Sequence, residues 1–244
     1  MTTEESLAAP EGETKRRRAV LVDFGGVLTT SVFAGFRAFG ADIGVDPGLP
    51  IRLFAADPVV RAALAAFECG RRTDEEFERI LAAALTRQGA VVEPEGLLAH
   101  LRSAIEPDPQ MIELIAGIKA AGHPVALVSN SLGRDCYDDI DIAALTDVQV
   151  VSAEVGIRKP TRAIYELACR RLDIEPQEAV MIDDLSQNLD GARRAGIEGI
   201  LHRSASNTAE ELAVRFGVFP LLPPTSPTTD TAWRRRSGTR AWLR

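Results

Sequence analysis

Polar residues that could do chemistry follow four separate apolar runs of the 244-residue sequence. Each run is typical of a buried strand, and the carboxyl ends of parallel strands meet at one edge of a sheet, where ligands bind. We therefore expect Asp23, Asp183 and Asp184 to lie close to Lys159 and Ser129. A single Asp after a strand is more often a turn or capping residue, but four such segments in one chain are hard to assign to capping. The segments are D-F-G-G-V at 23–27, S-N-S at 129–131, G-I-R-K-P at 156–160, and D-D at 183–184 with Asn188 one helical turn later.

This set of side chains indicates phosphoryl transfer. Three carboxylates repel one another unless a cation neutralises them, and an all-oxygen cluster suits Mg²⁺. A phosphate dianion needs the same screening, which Mg²⁺ and Lys159 could supply. Ser129 and the backbone N–H groups of Gly25 and Gly26 could hold phosphate oxygens. An Asp carboxylate can attack phosphorus to form an aspartyl-phosphate, which divides the reaction into two steps.

Strands and helices alternate along most of the chain, which predicts a parallel sheet covered by helices on both faces. Helices are predicted over Gln110–Ala121, Thr161–Leu172 and Asn188–Ala195. The predicted strands are Ala19–Asp23, Pro124–Ser129, Val148–Ser152, Ala179–Asp183 and Gly199–His202.

Residues 31–106 break this alternation, because they are helical in pattern throughout. Helices are expected over Ala62–Phe67, Asp74–Leu85 and Glu95–Leu101, and Thr73 to Glu76 resembles a capping box. A helical insertion after the first strand predicts a lid or cap on an α/β core. The predicted domains are an N-terminal tail at 1–18, a core at 19–30 and 107–218, the cap at 31–106, and a C-terminal tail at 219–244.

The composition is that of a globular protein, with 45% hydrophobic and 26% charged residues. The net charge is −7, and residues 19–224 carry −11 because the last 20 residues are basic. This balance argues against a broad nucleic-acid-binding face. The three dispersed cysteines and the lack of an 18-residue apolar stretch favour a cytoplasmic protein without a transmembrane helix. The oligomeric state is not readable from the sequence.

The order of the four segments resembles the motifs of the haloacid dehalogenase (HAD) superfamily. The resemblance covers about residues 19–205, and the helical insertion is similar to the C1 cap of the branch that includes haloacid dehalogenases and many small-metabolite phosphatases. D-x-G-x-V is similar to a subgroup that includes sugar-1-phosphate phosphatases. The resemblance implies a Rossmann-like α/β core and a Mg²⁺-dependent phosphatase acting on a small phosphorylated metabolite, such as a sugar phosphate.

The resemblance also assigns a role to each matching residue. Asp23 would be the nucleophile and a metal ligand, and Lys159 would pair with both Asp23 and the phosphate. The other roles concern the metal and the phosphate. The metal would be bound by the Gly25 carbonyl, Asp184 and Asp183, and Asn188 would act on it through water. The phosphate would be bound by Ser129, Asn130 and Gly26.

Gly25 is a departure from the family's phosphatases, which carry a second Asp two residues after the nucleophile. That Asp acts as general acid and base, a role typically worth about 10²–10⁴-fold in rate. Three explanations are open. Water or a cap residue transfers the proton or the leaving group needs little help, the protein is a 2-haloacid dehalogenase, or it is a non-catalytic protein that binds a phosphorylated ligand or partner. The Asp183–Asp184 pair argues against the dehalogenase, which needs no metal site.

Two further groups of residues are assigned less specific roles. Phe33, Phe36 and Phe39 recur at helical intervals and are expected in the core of the cap. Arg71 and Arg72 lie in a turn between two predicted cap helices, where they could meet a second anionic group of a substrate, although a solvated turn is the simpler interpretation.

Overall fold

The computed structural model describes residues 18–219, with only the backbone described for Arg134 and Asp135. Five parallel strands form one sheet in the order β3-β2-β1-β4-β5. This confirms the predicted α/β fold, whereas the two predicted tails lie almost entirely outside the described residues. The strands are β1 Ala19–Val22, β2 Val125–Ser129, β3 Val148–Val151, β4 Ala179–Asp183 and β5 Glu198–Leu201.

The central strand β1 is flanked on both sides. Val20 is in register with Val125 of β2 on one side and with Val180 of β4 on the other. All residues of β1, β2 and β4 are buried. Continuous apolar strands of this kind are expected where helices cover both faces of a parallel sheet.

Helices pack on the two faces of the sheet. Asp108 begins α6 by accepting hydrogen bonds from the amides of Gln110 and Met111, which leads the chain into the helix. The predicted helices over 110–121, 161–172 and 188–195 are observed with ends shifted by at most two residues. The core helices are α6 Pro109–Ala120, α7 Ile142–Leu145, α8 Ser152–Val155, α9 Arg162–Leu172, α10 Ser186–Arg194 and α11 Ala205–Glu211.

The first five helices after β1 form a second hydrophobic core of their own, and we call them the inserted helices. Phe39, Phe77 and Leu81 are at most 1% exposed within it. The predicted capping box is present, because Thr73 accepts from the Glu76 amide and the Glu76 carboxylate accepts from the Thr73 amide. The inserted helices are α1 Val32–Asp42, α2 Leu49–Ala56, α3 Pro58–Glu68, α4 Asp74–Arg87 and α5 Leu97–Arg102.

The chain enters and leaves the inserted helices through two adjacent segments. The amide of Thr30 donates to the Glu106 carbonyl at 2.7 Å, and the amide of Asp108 donates to the Leu28 carbonyl at 2.9 Å. The inserted helices are thereby held at the edge of the sheet where β1 ends. Among residues 18–219, every helix is too short or too polar to cross a bilayer.

Candidate active site

Two aspartates and one lysine form a buried cluster at the carboxyl edge of the sheet. The Lys159 ammonium nitrogen lies 2.7 Å from Asp23 Oδ1 and 2.7 Å from Asp183 Oδ2. The side chains of Lys159 and Asp183 are 1% and 0% exposed, and that of Asp23 is 10% exposed. The predicted meeting of Asp23, Asp183 and Lys159 at this edge is therefore observed.

The positions of the three residues follow from the sheet and one loop pairing. Asp23 follows β1 and its amide donates to the Ile182 carbonyl at 3.0 Å, while Asp183 ends the neighbouring strand β4. Lys159 comes from the loop after α8 and is fixed by Asn130, whose side-chain amide accepts from the Lys159 amide at 2.8 Å and donates to the Lys159 carbonyl at 3.2 Å.

Asp183 is held by hydrogen bonds on both carboxylate oxygens. Asn188 Nδ2 donates to them at 3.0 and 3.1 Å, and the Leu185 amide donates to Oδ1 at 2.9 Å. Tyr165, which is fully buried, donates to the Asn188 carbonyl at 2.7 Å and so fixes the start of α10. These hydrogen bonds hold the Asp183 carboxylate in the position where it accepts from Lys159.

Asp23, Asp183 and Asp184 each offer an oxygen within 4.8 Å of the other two, which makes them a candidate metal centre within the described residues. With Lys159 counted, the cluster has a net charge of minus two when all groups are ionised, and a divalent cation would balance it. Burial raises the pKa of Asp23 well above its usual range, and the charges of Asp183 and Asp184 raise it further against the opposing effect of Lys159. Burial and the Asp183 charge raise the pKa of Asp184 to about 6. An oxygen-only donor set of this kind fits Mg²⁺.

The two glycines after Asp23 leave room for this arrangement. Gly26 has a φ of +77°, and a Cβ atom there would lie 2.4 Å from Asp184 Oδ2. A Cβ atom on Gly25 would lie 2.8 Å from Cγ2 of Val32, the first residue of α1. The turn can therefore approach Asp184 and α1 closely only because both positions lack side chains.

The three residues assigned to phosphate binding have other partners in this structure. The Ser129 hydroxyl is 2% exposed and accepts a hydrogen bond from the Tyr137 hydroxyl at 2.9 Å. Asn130 uses both side-chain polar atoms on the Lys159 backbone, and the Gly26 amide donates to Thr29 Oγ1 at 3.0 Å. Their phosphate-binding roles stay predictions, and Asn130 has an additional structural role in holding Lys159.

A cavity of about 570 Å³ opens between the inserted helices and the sheet edge. Asp23, Lys159 and Asp184 line its floor, and the inserted helices contribute a largely apolar opposite wall. Phe33 and Phe36 belong to this wall. Of the predicted Phe triplet, Phe36 and Phe39 are buried in the core of the inserted helices, whereas Phe33 is 38% exposed. The apolar wall residues are Phe33, Phe36, Ile51, Phe54, Leu64 and Ile105.

Two charged residues of the cavity were not assigned a role from the sequence. Glu68 ends α3 and Arg158 precedes Lys159, and Arg158 Nε lies 2.9 Å from Glu68 Oε2. Burial raises the pKa of Glu68 to about 7, although the charges of Arg158 and Lys159 lower it. Arg71 and Arg72, in contrast, line a separate cavity beside Ser131 and Tyr137.

The family model of haloacid dehalogenase-like hydrolases matches residues 17–196. The chain belongs to this family. It is 26% identical to a glyceraldehyde 3-phosphate phosphatase of Methanothermobacter thermautotrophicus over 79% of the chain and 88% of that protein. It is also 30% identical to mouse acyl-CoA dehydrogenase family member 10 over 88% of the chain, but it spans only about a fifth of that protein's length.

Solved structures of HAD-like proteins share the fold. A dehalogenase aligns with a TM-score of 0.59 at 22% identity, covering 77% of this chain and 85% of the dehalogenase. A HAD family enzyme from Bacteroides thetaiotaomicron, crystallised with magnesium and inorganic phosphate, aligns with a TM-score of 0.57 at 19% identity, covering 77% of this chain and 94% of its own. Relatives of the HAD-like hydrolase described here thus include both phosphatases and dehalogenases.

Proposed function

We propose that this HAD-like hydrolase is a Mg²⁺-dependent phosphatase that cleaves a small phosphomonoester through an aspartyl-phosphate on Asp23. The observation that carries this proposal is the candidate metal centre of Asp23, Asp183 and Asp184, which together with Lys159 has a net charge of minus two and opens into the cavity. A divalent cation would bring this net charge to zero, so that a phosphate dianion could approach the Asp23 carboxylate without facing excess negative charge.

Each residue of the cluster has a distinct part in this reaction. Asp23 attacks the phosphorus atom with one carboxylate oxygen, and Lys159 orients that carboxylate and attracts the phosphate. Asp23, Asp184 and the Gly25 carbonyl would hold Mg²⁺, and Asp183 would support the metal or its waters while it fixes Lys159. The bound Mg²⁺ would supply neutralisation of the charge on the transferring phosphoryl group.

The apolar wall of the cavity indicates which kind of organic group a substrate would carry. A sugar carries hydroxyl groups that need hydrogen-bond partners when they are buried. The wall formed by Phe33, Phe36 and Phe54 offers apolar surface instead. This lining favours a phosphomonoester whose organic group has an apolar face over a fully hydroxylated sugar phosphate. Because a relative is a glyceraldehyde 3-phosphate phosphatase, a small sugar phosphate is still tested as a substrate.

Hydrolysis of a panel of phosphomonoesters by the purified protein, with and without Mg²⁺, tests the proposal. The panel should contain sugar phosphates, alkyl and aryl phosphates, and a 2-haloacid as a separate assay. We expect phosphate release that requires Mg²⁺ and is abolished by Asp23→Asn in a protein that still folds. Metal-independent halide release would identify a dehalogenase instead, and phosphate binding without turnover would identify a binding protein.

A further inference from the structure

The turn after the nucleophile cannot supply a proton to the leaving group. Position 25 is a glycine, and the Cβ atom of any other residue there would lie 2.8 Å from Val32 Cγ2. Lys159 is also a poor donor: burial lowers its pKa, but the adjacent Asp23 and Asp183 carboxylates raise it above the usual value, so the ammonium keeps its proton. A phosphatase with this site needs a proton donor from another element when it cleaves the ester of an unactivated alcohol.

Glu68 reaches the cavity from the side of the inserted helices. It is the last residue of α3, and its carbonyl accepts a hydrogen bond from the Ser152 hydroxyl of the core, which fixes the end of that helix. Its side chain is 14% exposed and lines the cavity that contains Asp23 and Lys159. A phosphomonoester that binds in this cavity with its phosphate next to Asp23 would place its organic part toward the wall where Glu68 lies.

The Glu68 carboxyl is buried without full hydrogen bonding. Its Oε2 atom accepts no hydrogen bond from the residues that the structure describes, although Arg158 Nε is only 2.9 Å away. Buried polar atoms that lack a partner are uncommon and often belong to functional sites. Because Oε2 is covered by protein and faces the Arg158 guanidinium, a substrate oxygen or a water molecule in the cavity would meet the other carboxylate oxygen, Oε1.

The other carboxyl groups that line this cavity are less suitable. Asp23 and Asp184 belong to the candidate metal centre, and Asp139 is solvent-exposed. Among the described carboxyl groups of the cavity, this leaves Glu68 as a buried group outside the metal centre.

The charged residues around Glu68 come from the core and from the inserted helices. Arg158 and Lys159 of the core face it, and the cavity also contains Arg61 of α3 and Arg102 of α5. Despite the two facing cations, burial keeps the pKa of Glu68 at about 7. A carboxyl with a pKa near neutrality can both donate and accept a proton under physiological conditions.

We propose that Glu68 replaces the missing Asp at position 25 as the general acid and base of the proposed phosphatase reaction. As Asp23 Oδ forms a bond to phosphorus, the bond from phosphorus to the ester oxygen breaks, and that oxygen takes the Glu68 proton and leaves as an alcohol. The Glu68 carboxylate then accepts a proton from the water that attacks the aspartyl-phosphate. Phosphate departs, Asp23 returns as a carboxylate, and Glu68 is protonated again.

Sensitivity to the leaving group tests this role, with the Mg²⁺-loaded protein and two substrates. p-Nitrophenyl phosphate has a leaving group that departs without a proton, whereas an alkyl phosphate such as phenethyl phosphate needs one. We expect Glu68→Gln to lower the rate constant for formation of the aspartyl-phosphate from the alkyl ester by about 10²-fold or more. The rate constant of the same step for the aryl ester should change by less than about 5-fold. Single-turnover measurements isolate this step from the later attack of water.

Two further variants separate a proton-transfer role from a structural one. Arg158→Gln removes the ion pair with Glu68 but keeps the carboxyl group, and Asp139→Asn removes an exposed carboxyl of the same cavity. We expect Arg158→Gln to keep the alkyl ester rate that Glu68→Gln loses, because loss of the Arg158 charge leaves the Glu68 carboxyl protonated, and we expect Asp139→Asn to affect neither ester. An equal loss on both esters in Glu68→Gln, or no loss on the alkyl ester, would overturn the role of Glu68. A wild-type protein that hydrolyses no member of the phosphomonoester panel would instead reject the proposed function itself.

Discussion

The Lys159 ammonium and the Asp23 carboxylate are 2.7 Å apart in a site where both side chains are at least nine-tenths buried. The same ammonium nitrogen lies 2.7 Å from Asp183, so one cation serves two carboxylates. A buried charge is costly unless it is paired and hydrogen-bonded. The triad is therefore stable as a unit, and removal of any one charge must change both the stability and the chemistry of the other two.

Lys159→Met should destabilise the protein and inactivate it. Without the ammonium, Asp23 and Asp183 would face each other as buried, uncompensated carboxyls, and breaking a buried pair in this way typically costs about 3–5 kcal/mol. Urea unfolding at pH 7.5 in the absence of metal measures this loss. Mg²⁺ should recover part of it, because it replaces the lost positive charge.

The matched control is Lys119→Met. Lys119 bonds the Ala144 and Thr146 carbonyls at the protein surface, and its ion pair with Asp147 is partly exposed. Surface pairs contribute about 0–1 kcal/mol, so this variant should unfold nearly as the wild type does. Equal costs for the two lysine variants would contradict the central role of Lys159.

Asp184→Asn should weaken metal binding without harming the fold. Burial and repulsion by Asp183 raise the pKa of Asp184 to about 6, so its ionised form is unfavourable when no metal is bound. The variant should therefore be at least as stable as the wild type without Mg²⁺. It should lose most of the stabilisation that a saturating ligand gives, which is about 2.7 kcal/mol at 100 times Kd.

Thermal unfolding across a Mg²⁺ titration checks this expectation, and isothermal titration calorimetry gives the affinity directly. Asp190→Asn serves as the control, since Asp190 is an exposed residue of α10 that pairs with Arg193. An unchanged Mg²⁺ response in Asp184→Asn would remove Asp184 from the candidate metal centre.

The sequence predicted the parts of the site that depend on strand ends. The continuous apolar runs that predict strands end at or just before Asp23, Asp183 and Asp184. The pairing of the strands in the sheet therefore brings these residues together, and the conformation of the loops is not needed to predict it. The pairing of Asn130 with the Lys159 backbone could not be predicted, because it joins two loops 29 residues apart. Glu68 was missed for a similar reason: its segment has the pattern of an ordinary amphipathic helix, and only the packing of α3 against Ser152 directs its end into the cavity.

Restoring an Asp at position 25 should require space as well as a carboxyl group. Gly25→Asp alone should lose stability, typically about 1–3 kcal/mol for an overpacked site, because its Cβ would lie 2.8 Å from Val32 Cγ2. Adding Val32→Ala should relieve that contact. In the background of Glu68→Gln, we expect the Gly25→Asp and Val32→Ala pair to recover at least 10-fold of the lost alkyl phosphate hydrolysis.

Single-turnover kinetics of the triple variant measure this recovery, with Glu68→Gln plus Val32→Ala as the comparison. The comparison variant has the same cavity but no added carboxyl group, so a gain in both variants would show that space alone is responsible. Failure of the stably folded triple variant to gain activity would indicate that a carboxyl group is not what the reaction lacks.

Glu68→Gln should also change how the stability of the protein depends on pH, independently of catalysis. The pKa of Glu68 is about 7 in the folded protein, whereas an unperturbed Glu has a pKa of 4.5. The folded state therefore binds the proton more tightly, and the wild-type free energy of unfolding falls as the pH rises from about 4.5 through 7. The shift corresponds to at most about 3 kcal/mol. Gln carries no charge at any pH, so the variant should gain stability relative to the wild type between pH 5 and 8.5.

Urea unfolding of both proteins without metal, at several pH values across this range, gives the difference directly. Subtracting the two curves removes the contribution of the other titrating groups, because they are common to both proteins. Glu76→Gln is unsuitable as a control since it breaks the capping box of α4, but Glu166→Gln changes only an exposed pair with Arg162. We expect the curve for Glu166→Gln to run parallel to that of the wild type. A parallel curve for Glu68→Gln as well would mean that Glu68 is ionised at neutral pH in the folded protein, and such a carboxylate could not donate the proton that the leaving group needs.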